Sequence, residues 1–147
     1  MAHETTLRWQ GSMAFDVELD GHHFTVDADQ AVGGGNRGPR PKDLLLSALA
    51  GCTGMDVVSL LRNRKMPFDS LVVKVDADAV QEHPKVYSAI RVEYAFTGAE
   101  LDGEKIRKAV QLSRERYCAV SAMLAKVAPI AHRILLNGEP LPEPNPA

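Results

Sequence analysis

Cysteine is scarce in this 147-residue chain: there are two, Cys52 and Cys118, in neither a Cys-x-x-Cys pair nor a zinc-ligand spacing. Local spacing therefore excludes any redox or metal motif recognisable by itself. A chain this long buries about two-thirds of its unfolded surface, so it needs no disulfide or metal staple. An excess of one charge is missing too. Lys+Arg number 17 against 19 Asp+Glu, a formal net charge of −2, which lacks the basic footprint of a nucleic-acid binder. The dense basic cluster Arg62-Asn63-Arg64-Lys65 reads as a helix C-terminus, where cations favour the macrodipole. No basic segment followed by an apolar run opens the sequence, so no signal peptide is read. The glycine-rich stretch from Val32 to Gly38 has no GK[ST] ending and no GxGxxG spacing, so it reads as a flexible loop and not a phosphate cradle. There is no internal repeat.

What is present is strong periodicity. Thr5 to Gln10 reads as a strand, and Met13, Phe15, Val17 and Leu19 alternate with Asp16, Glu18 and Asp20, the period-2 mark of a half-buried strand. Asp20-Gly21 is a hairpin turn signal, with Phe24, Val26 and Ala28 continuing the alternation. Pro41 suits the first turn of a long helix running to about Lys65. Val73, Val75, Ala77 and Ala79, then Ile90, Val92, Tyr94 and Phe96, mark two further strands joined near Glu82-His83-Pro84. From Gly103 to Tyr117 the period becomes helical, with Ile106, Val110, Ser113 and Tyr117 on one face and Lys105, Arg107, Lys108, Arg114 and Glu115 opposite. Residues 118–127 extend this helix or start another, and Ile134 to Leu136 add an edge strand. Strands, long helix, strands, helices: the order predicts an α+β fold with sheets packed on helices. One domain is expected over residues 1–139, with a flexible proline-rich tail over 140–147.

The run Leu44 to Leu61 is apolar enough to raise a transmembrane question, but it carries Asp56. A carboxylate at mid-bilayer costs about 3 kcal/mol even on a lenient insertion scale. A buried helix in a cytoplasmic protein, with no membrane partner, is the reading that follows. Because residues 48–61 are apolar all round and hold Gly51 and Gly54, part of that surface is expected to be covered by a second copy of the chain.

Cys52 lies mid-helix in Ala50-Gly51-Cys52-Thr53-Gly54, and Cys118 near the head of the last helical segment in Arg116-Tyr117-Cys118-Ala119-Val120-Ser121. Free cysteine is among the most buried residue types, so the residues alone give two core-compatible thiols. Tyr117 reads as a core aromatic, because it completes the helix stripe, with a wall of the substrate pocket as the alternative. His132 reads as a surface or capping group, not a third zinc ligand. His22 and His23 read as solvent-facing, and Met55, Met66 and Met123 as core filler.

The stretch Pro41-Lys42-Asp43-Leu44-Leu45-Leu46-Ser47-Ala48-Leu49-Ala50-Gly51-Cys52 resembles the signature of the OsmC/Ohr family (osmotically inducible protein C and organic hydroperoxide resistance proteins). Tyr117-Cys118-Ala119-Val120-Ser121 resembles that family's second cysteine segment, and Gly51-Cys52 with Asp56 is similar to the YhfA-like branch. The resemblance implies an intertwined α+β homodimer with antiparallel sheets around a long central helix. It implies a thiol peroxidase in which Cys52 attacks an organic hydroperoxide and Cys118 resolves the sulfenic acid to a disulfide, with an external thiol reductant closing the cycle. No metal or organic cofactor is implied. The family's peroxidases hold the attacking thiolate with an arginine and a glutamate. Here Lys42 stands at the glutamate position and residues 11–14 contain no arginine, which leaves Arg37, Arg40 or Lys42 as substitutes. Asp56, four residues after Cys52, lies on the same helix face and disfavours a thiolate, so a buried hydrogen-bonding or dimer-contact role is expected of it. The alternative reading is a non-catalytic protein of this fold that binds a small hydrophobic or electrophilic ligand at the dimer interface. In a third reading both thiols are inert core residues.

Overall fold

The computed structural model describes residues 2–144, in two compact units that divide at Leu45/Leu46. The first unit is an antiparallel meander of β1 (Thr5–Trp9), β2 (Phe15–Leu19) and β3 (His22–Val26). The β2–β3 turn falls on Asp20-Gly21, both left-handed (φ 50° and 77°), as a two-residue hairpin linking right-twisted strands requires. Pairing Trp9 with Phe15 and Val26, and Leu7 with Val17 and Phe24, puts the large apolar side chains on one face. Much of that face is bare: Leu7, Trp9, Phe15, Leu19 and Phe24 are all exposed.

The glycine-rich segment is tied down rather than loose. The buried Asp27 carboxylate accepts the N–H groups of Ala28, Gly35 and Arg37 at 2.7, 3.0 and 3.1 Å. Burial opposes its ionisation, but these donors hold its pKa below the usual carboxylate value. Two glycines are set by close approach: a Cβ at Gly34 or Gly38 would lie 2.0 Å from a backbone carbonyl oxygen, of Ala28 or Thr25 respectively. Residues 41–43 form a turn, with Leu44 and Leu45 N–H donating to Pro41 and Lys42 carbonyls, so the helix proper starts three residues after Pro41.

In the second unit α1 (Leu44–Asn63) lays a stripe of buried residues, Leu49, Thr53, Val57 and Leu61, into the core. The four-residue spacing keeps them on one side of the helix. By length and composition α1 could cross a membrane, yet this stripe joins the core cluster of Ile90, Val92, Tyr94 and Phe96. The basic cluster closes α1 as expected, with Arg62 in the last turn and Lys65 left-handed just beyond it. The long hairpin of β4 (Ser70–Ala79) and β5 (Tyr87–Thr97) follows. Every second β4 residue from Leu71 to Ala79 is half-buried, and β5 buries Tyr87, Ile90, Val92, Tyr94 and Phe96.

A helical crossover returns the chain to the sheet as β6 (Ile130–Leu136), which runs parallel to β5 and is followed by β7 (Glu139–Pro140). β6 is thus longer than its apolar core at 134–136, and it lies between β5 and β7, not at the sheet edge expected of it. Within the crossover, α2 (Gly103–Leu112) is capped by Asp102, whose carboxylate accepts from Glu104 and Lys105 N–H, and it buries Ile106, Ala109 and Val110. Residues 113–117 then widen into a π-turn before α3 (Ala119–Leu124). The tail expected from 140 begins on a strand at Pro140, and Arg107 donates to the Pro142 carbonyl; residues 145–147 lie outside the described residues. The architecture is α+β, with two sheets and a long helix.

Candidate functional site

The π-turn decides which residue enters the core after α2. In an α-helix the residue below Ser113 would be Tyr117. Here Cys118 N–H donates to the Ser113 carbonyl at 2.9 Å, an i to i+5 bond, so the wider turn brings Cys118 in and swings Tyr117 out. Cys118 is 3% exposed and Tyr117 is 54% exposed. This corrects the expectation of Tyr117 as a core aromatic. Its ring instead lies 5.8 Å from the Arg116 guanidinium. Cys118 also caps α3, its Sγ accepting Ser121 N–H at 3.3 Å.

Cys52 and Asp56, one helical turn apart, flank the buried stripe of α1 and are both half-buried. Cys52 Sγ, Cys118 Sγ and an Asp56 carboxylate oxygen all lie within 4.8 Å of one another. The two cysteines expected at the site therefore come together from elements some sixty-six positions apart (118 − 52), and Asp56 joins them. Burial pushes the Cys118 thiol up to about 11, reinforced by Cys52 and the Asp56 charge and opposed by the Ser121 N–H.

Behind Asp56 runs a chain of buried hydroxyls. Ser113 Oγ donates to Asp56 Oδ2 at 2.9 Å, Thr53 Oγ1 lies 2.8 Å from Ser113 Oγ, and Tyr94 Oη lies 2.8 Å from Thr53 Oγ1. A hydroxyl has one proton. Since Ser113 spends its proton on the carboxylate, Thr53 donates to Ser113 and Tyr94 to Thr53. The chain thus points from Tyr94 to Asp56, which has the hydrogen-bonding role expected of it. Burial, partly opposed by the Thr53 bond, raises the Tyr94 pKa to about 12. The sequence signal for this network was a single polar residue on each of three apolar stripes. Thr53 stands among Leu49, Val57 and Leu61, Ser113 follows Ile106 and Val110, and the Tyr94 hydroxyl interrupts β5.

His132 is not a ligand-side partner of the thiols and not a surface cap. Its ring stacks on Tyr94 with centroids 6.2 Å apart, and burial, with Arg114 nearby, drives its pKa down to about 4. His22 and His23 are exposed as expected, His23 lying 3.0 Å from Asp16. Of the methionines, Met66 is core but Met55 and Met123 are exposed. Arg37, Arg40 and Lys42 belong to the first unit, where Arg40 donates to Gly38 O, Asn36 Oδ1 and Asp29 Oδ2. In the second unit, an open cleft of about 1090 Å³ runs beside α1 past Gly51, Gly54, Met55 and Val73, and a smaller one of about 270 Å³ opens onto Asp56 and Tyr117.

An α+β chain that pairs two free thiols beside a carboxylate on its long helix defines a class of cysteine-centred small proteins. The sequence matches the model of OsmC-like proteins over residues 33–133. It is 30% identical to protein YhfA of Escherichia coli strain K12 over 130 residues, covering 88% of this chain and 94% of that protein. The chain belongs to the OsmC-like family. Solved structures that share its fold include two OsmC/Ohr proteins. The OsmC-like protein of Mycoplasma pneumoniae superposes with a TM-score of 0.79 at 15% identity, covering 92% of this chain and 97% of the other. The organic hydroperoxide resistance protein OhrB of Bacillus subtilis superposes with a TM-score of 0.61 at 17% identity, covering 92% and 98%.

Proposed function

We propose that this protein is a thiol-dependent peroxidase that reduces organic hydroperoxides through Cys52 and Cys118. The observation that carries this reading is the approach of the two sulfurs to within 4.8 Å, with the less buried one on α1 and the more buried one capping α3. Family membership and the hydroperoxide resistance function named for relatives of the same fold support it. In the first step the Cys52 thiolate attacks the distal peroxide oxygen. The O–O bond breaks, the alkoxide leaves as alcohol after taking a proton, and Cys52 becomes a sulfenic acid. The Cys118 sulfur then attacks Cys52, hydroxide leaves with the Cys118 proton as water, and a disulfide forms. An external thiol reductant restores both thiols. The division of labour follows burial: the raised pKa of Cys118 keeps it a thiol until a sulfenic acid forms beside it.

The working unit in this reading is an intertwined cytoplasmic homodimer of one domain over residues 1–139. The bare apolar face of the first sheet, with Trp9 66% and Leu7 46% exposed, and Met55 at 75% on α1, are what a second copy would cover. Sedimentation of the full chain should give a dimer, and Trp9→Lys with Phe15→Lys should shift it toward monomer. The peroxidase test is intact mass and free-thiol count after one equivalent of an organic hydroperoxide is added to reduced protein. Loss of two thiols within seconds, stopping at a sulfenic acid in Cys118→Ser, is expected; thiols still free after many minutes reject the reading. The 1090 Å³ cleft beside Gly51, whose lining includes Met55, Val58, Phe68 and Val73, favours one alternative, binding of a small hydrophobic or electrophilic ligand. That reading predicts ligand-dependent thermal stabilisation without disulfide formation.

A further inference from the structure

We propose that the reduced site binds a divalent cation of the zinc class, held by the Cys52 and Cys118 thiolates and the Asp56 carboxylate. The three ligand atoms already lie within 4.8 Å of one another. A tetrahedral site with metal–sulfur distances of about 2.3 Å and metal–oxygen of about 2.0 Å needs its ligands about 3.5–3.8 Å apart. A closure of about 1 Å completes it. Cys52 and Asp56 sit one turn apart on the same helix face, and Cys118 comes from a separate element, so the ligands are supplied from two sides.

The donor set selects the metal. Two soft thiolates with one carboxylate suit a zinc-like ion and not magnesium or calcium, which take oxygen ligands. Charge argues the same way. Two sulfurs and a carboxylate repel one another once ionised, and a divalent cation turns that repulsion into attraction. Binding is balanced by the release of two thiol protons to solvent.

The surroundings have the other parts of a metal site. The Ser113 hydroxyl fixes the carboxylate through Oδ2, and Thr53 and Tyr94 fix Ser113 in turn, an outer shell of the kind that orients carboxylate ligands. Ser121 N–H holds Cys118 Sγ in place. The 270 Å³ cleft lined by Asp56, Ser59, Leu60, Asn63 and Tyr117 reaches the carboxylate from outside. Three protein ligands leave a fourth position for water.

The test is titration of full-length, reduced, chelator-treated protein with Co²⁺ under anaerobic conditions. One Co²⁺ per chain is expected, with a near-ultraviolet thiolate-to-cobalt charge-transfer band and tetrahedral ligand-field bands, all displaced by Zn²⁺. Ser113→Ala should weaken the apparent affinity about 10-fold, and Asp56→Asn should weaken it further. Wild type with both thiols alkylated should lose the charge-transfer band, which keeps the test independent of whether Cys52→Ser folds. Absence of the band at millimolar Co²⁺, or unchanged affinity in Asp56→Asn, overturns the proposal. So does ligand-field absorption without the band, the signature of a site without thiolate ligands. Peroxide turnover, measured in parallel on metal-free protein, reports only on the peroxidase reading, so failure of either leaves the other standing.

Discussion

Asp56→Asn isolates what one charge does to the thiol pair. The amide keeps the shape of the carboxylate and an oxygen to accept the Ser113 hydroxyl proton, so the hydroxyl chain stays intact while the charge goes. The carboxylate lies within 4.8 Å of both sulfurs. Two unit charges at that separation interact by about 3.5 kcal/mol at an effective dielectric of 20 and about 0.9 kcal/mol in bulk water. These bracket a fall of about 0.6 to 2.5 units in the Cys118 pKa. Asp56 is half-buried and is the smallest of the causes acting on Cys118, after burial and Cys52, so the lower half of that range applies, about one unit. The sign follows from removing a negative charge: the thiolate becomes easier to form. With the thiol starting at about 11, a fall of about one unit raises the thiolate fraction at pH 9 about tenfold. The assay is the pH profile of Cys118 alkylation by iodoacetamide, followed by peptide mass so that Cys52 is read separately. An alkylation midpoint for Cys118 that is unmoved or moved upward would refute the electrostatic argument.

Thr53→Val leaves the buried Tyr94 hydroxyl without an acceptor and should cost about 1–3 kcal/mol, a fall of about 2–4 °C in Tm per kcal/mol. Tyr94→Phe removes the orphan, so urea unfolding of the double variant should show less destabilisation than the two singles added together; additivity within about 0.5 kcal/mol would disprove the directed chain. His132 tests the acid side. Its folded pKa of about 4 lies below the ordinary 6.5, so the unfolded chain takes up the proton first as pH falls. Stability from this group is complete above about 6.5 and is lost progressively between 6.5 and 4. His132→Phe, which keeps a ring against Tyr94, should flatten that leg of a stability–pH curve; an unchanged slope would show that other groups set it.

Much of the molecule was legible in one dimension because its signals are local. The Asp20-Gly21 turn, the alternation in β2, β4 and β5, and the i, i+4 stripe of α1 each follow from periods that the backbone imposes on its own residues. The signature around Pro41 to Cys52 carried the family. The helix stripe through Ile106, Val110 and Ser113 was also correct as far as it went. Its extension to Tyr117 failed because helical periodicity assumes 3.6 residues per turn, and nothing in Ser113-Arg114-Glu115-Arg116-Tyr117 announces a wider one. That π-turn is stabilised by tertiary packing, which rewards burying Cys118 over keeping the register.

The site itself divides the same way. Sequence alone determined which two residues can carry thiol chemistry, since only two cysteines exist, and it put Asp56 on the Cys52 face of the helix. It could not determine that Cys118 meets them, that Thr53, Ser113 and Tyr94 link into one chain, or that His132 lies against Tyr94 without a charge. Those contacts join residues 38 to 66 positions apart. Their existence depends on how α1, β5 and the crossover helix pack, which puts the buried Thr53, Ser113 and Tyr94 hydroxyls within hydrogen-bond reach of one another.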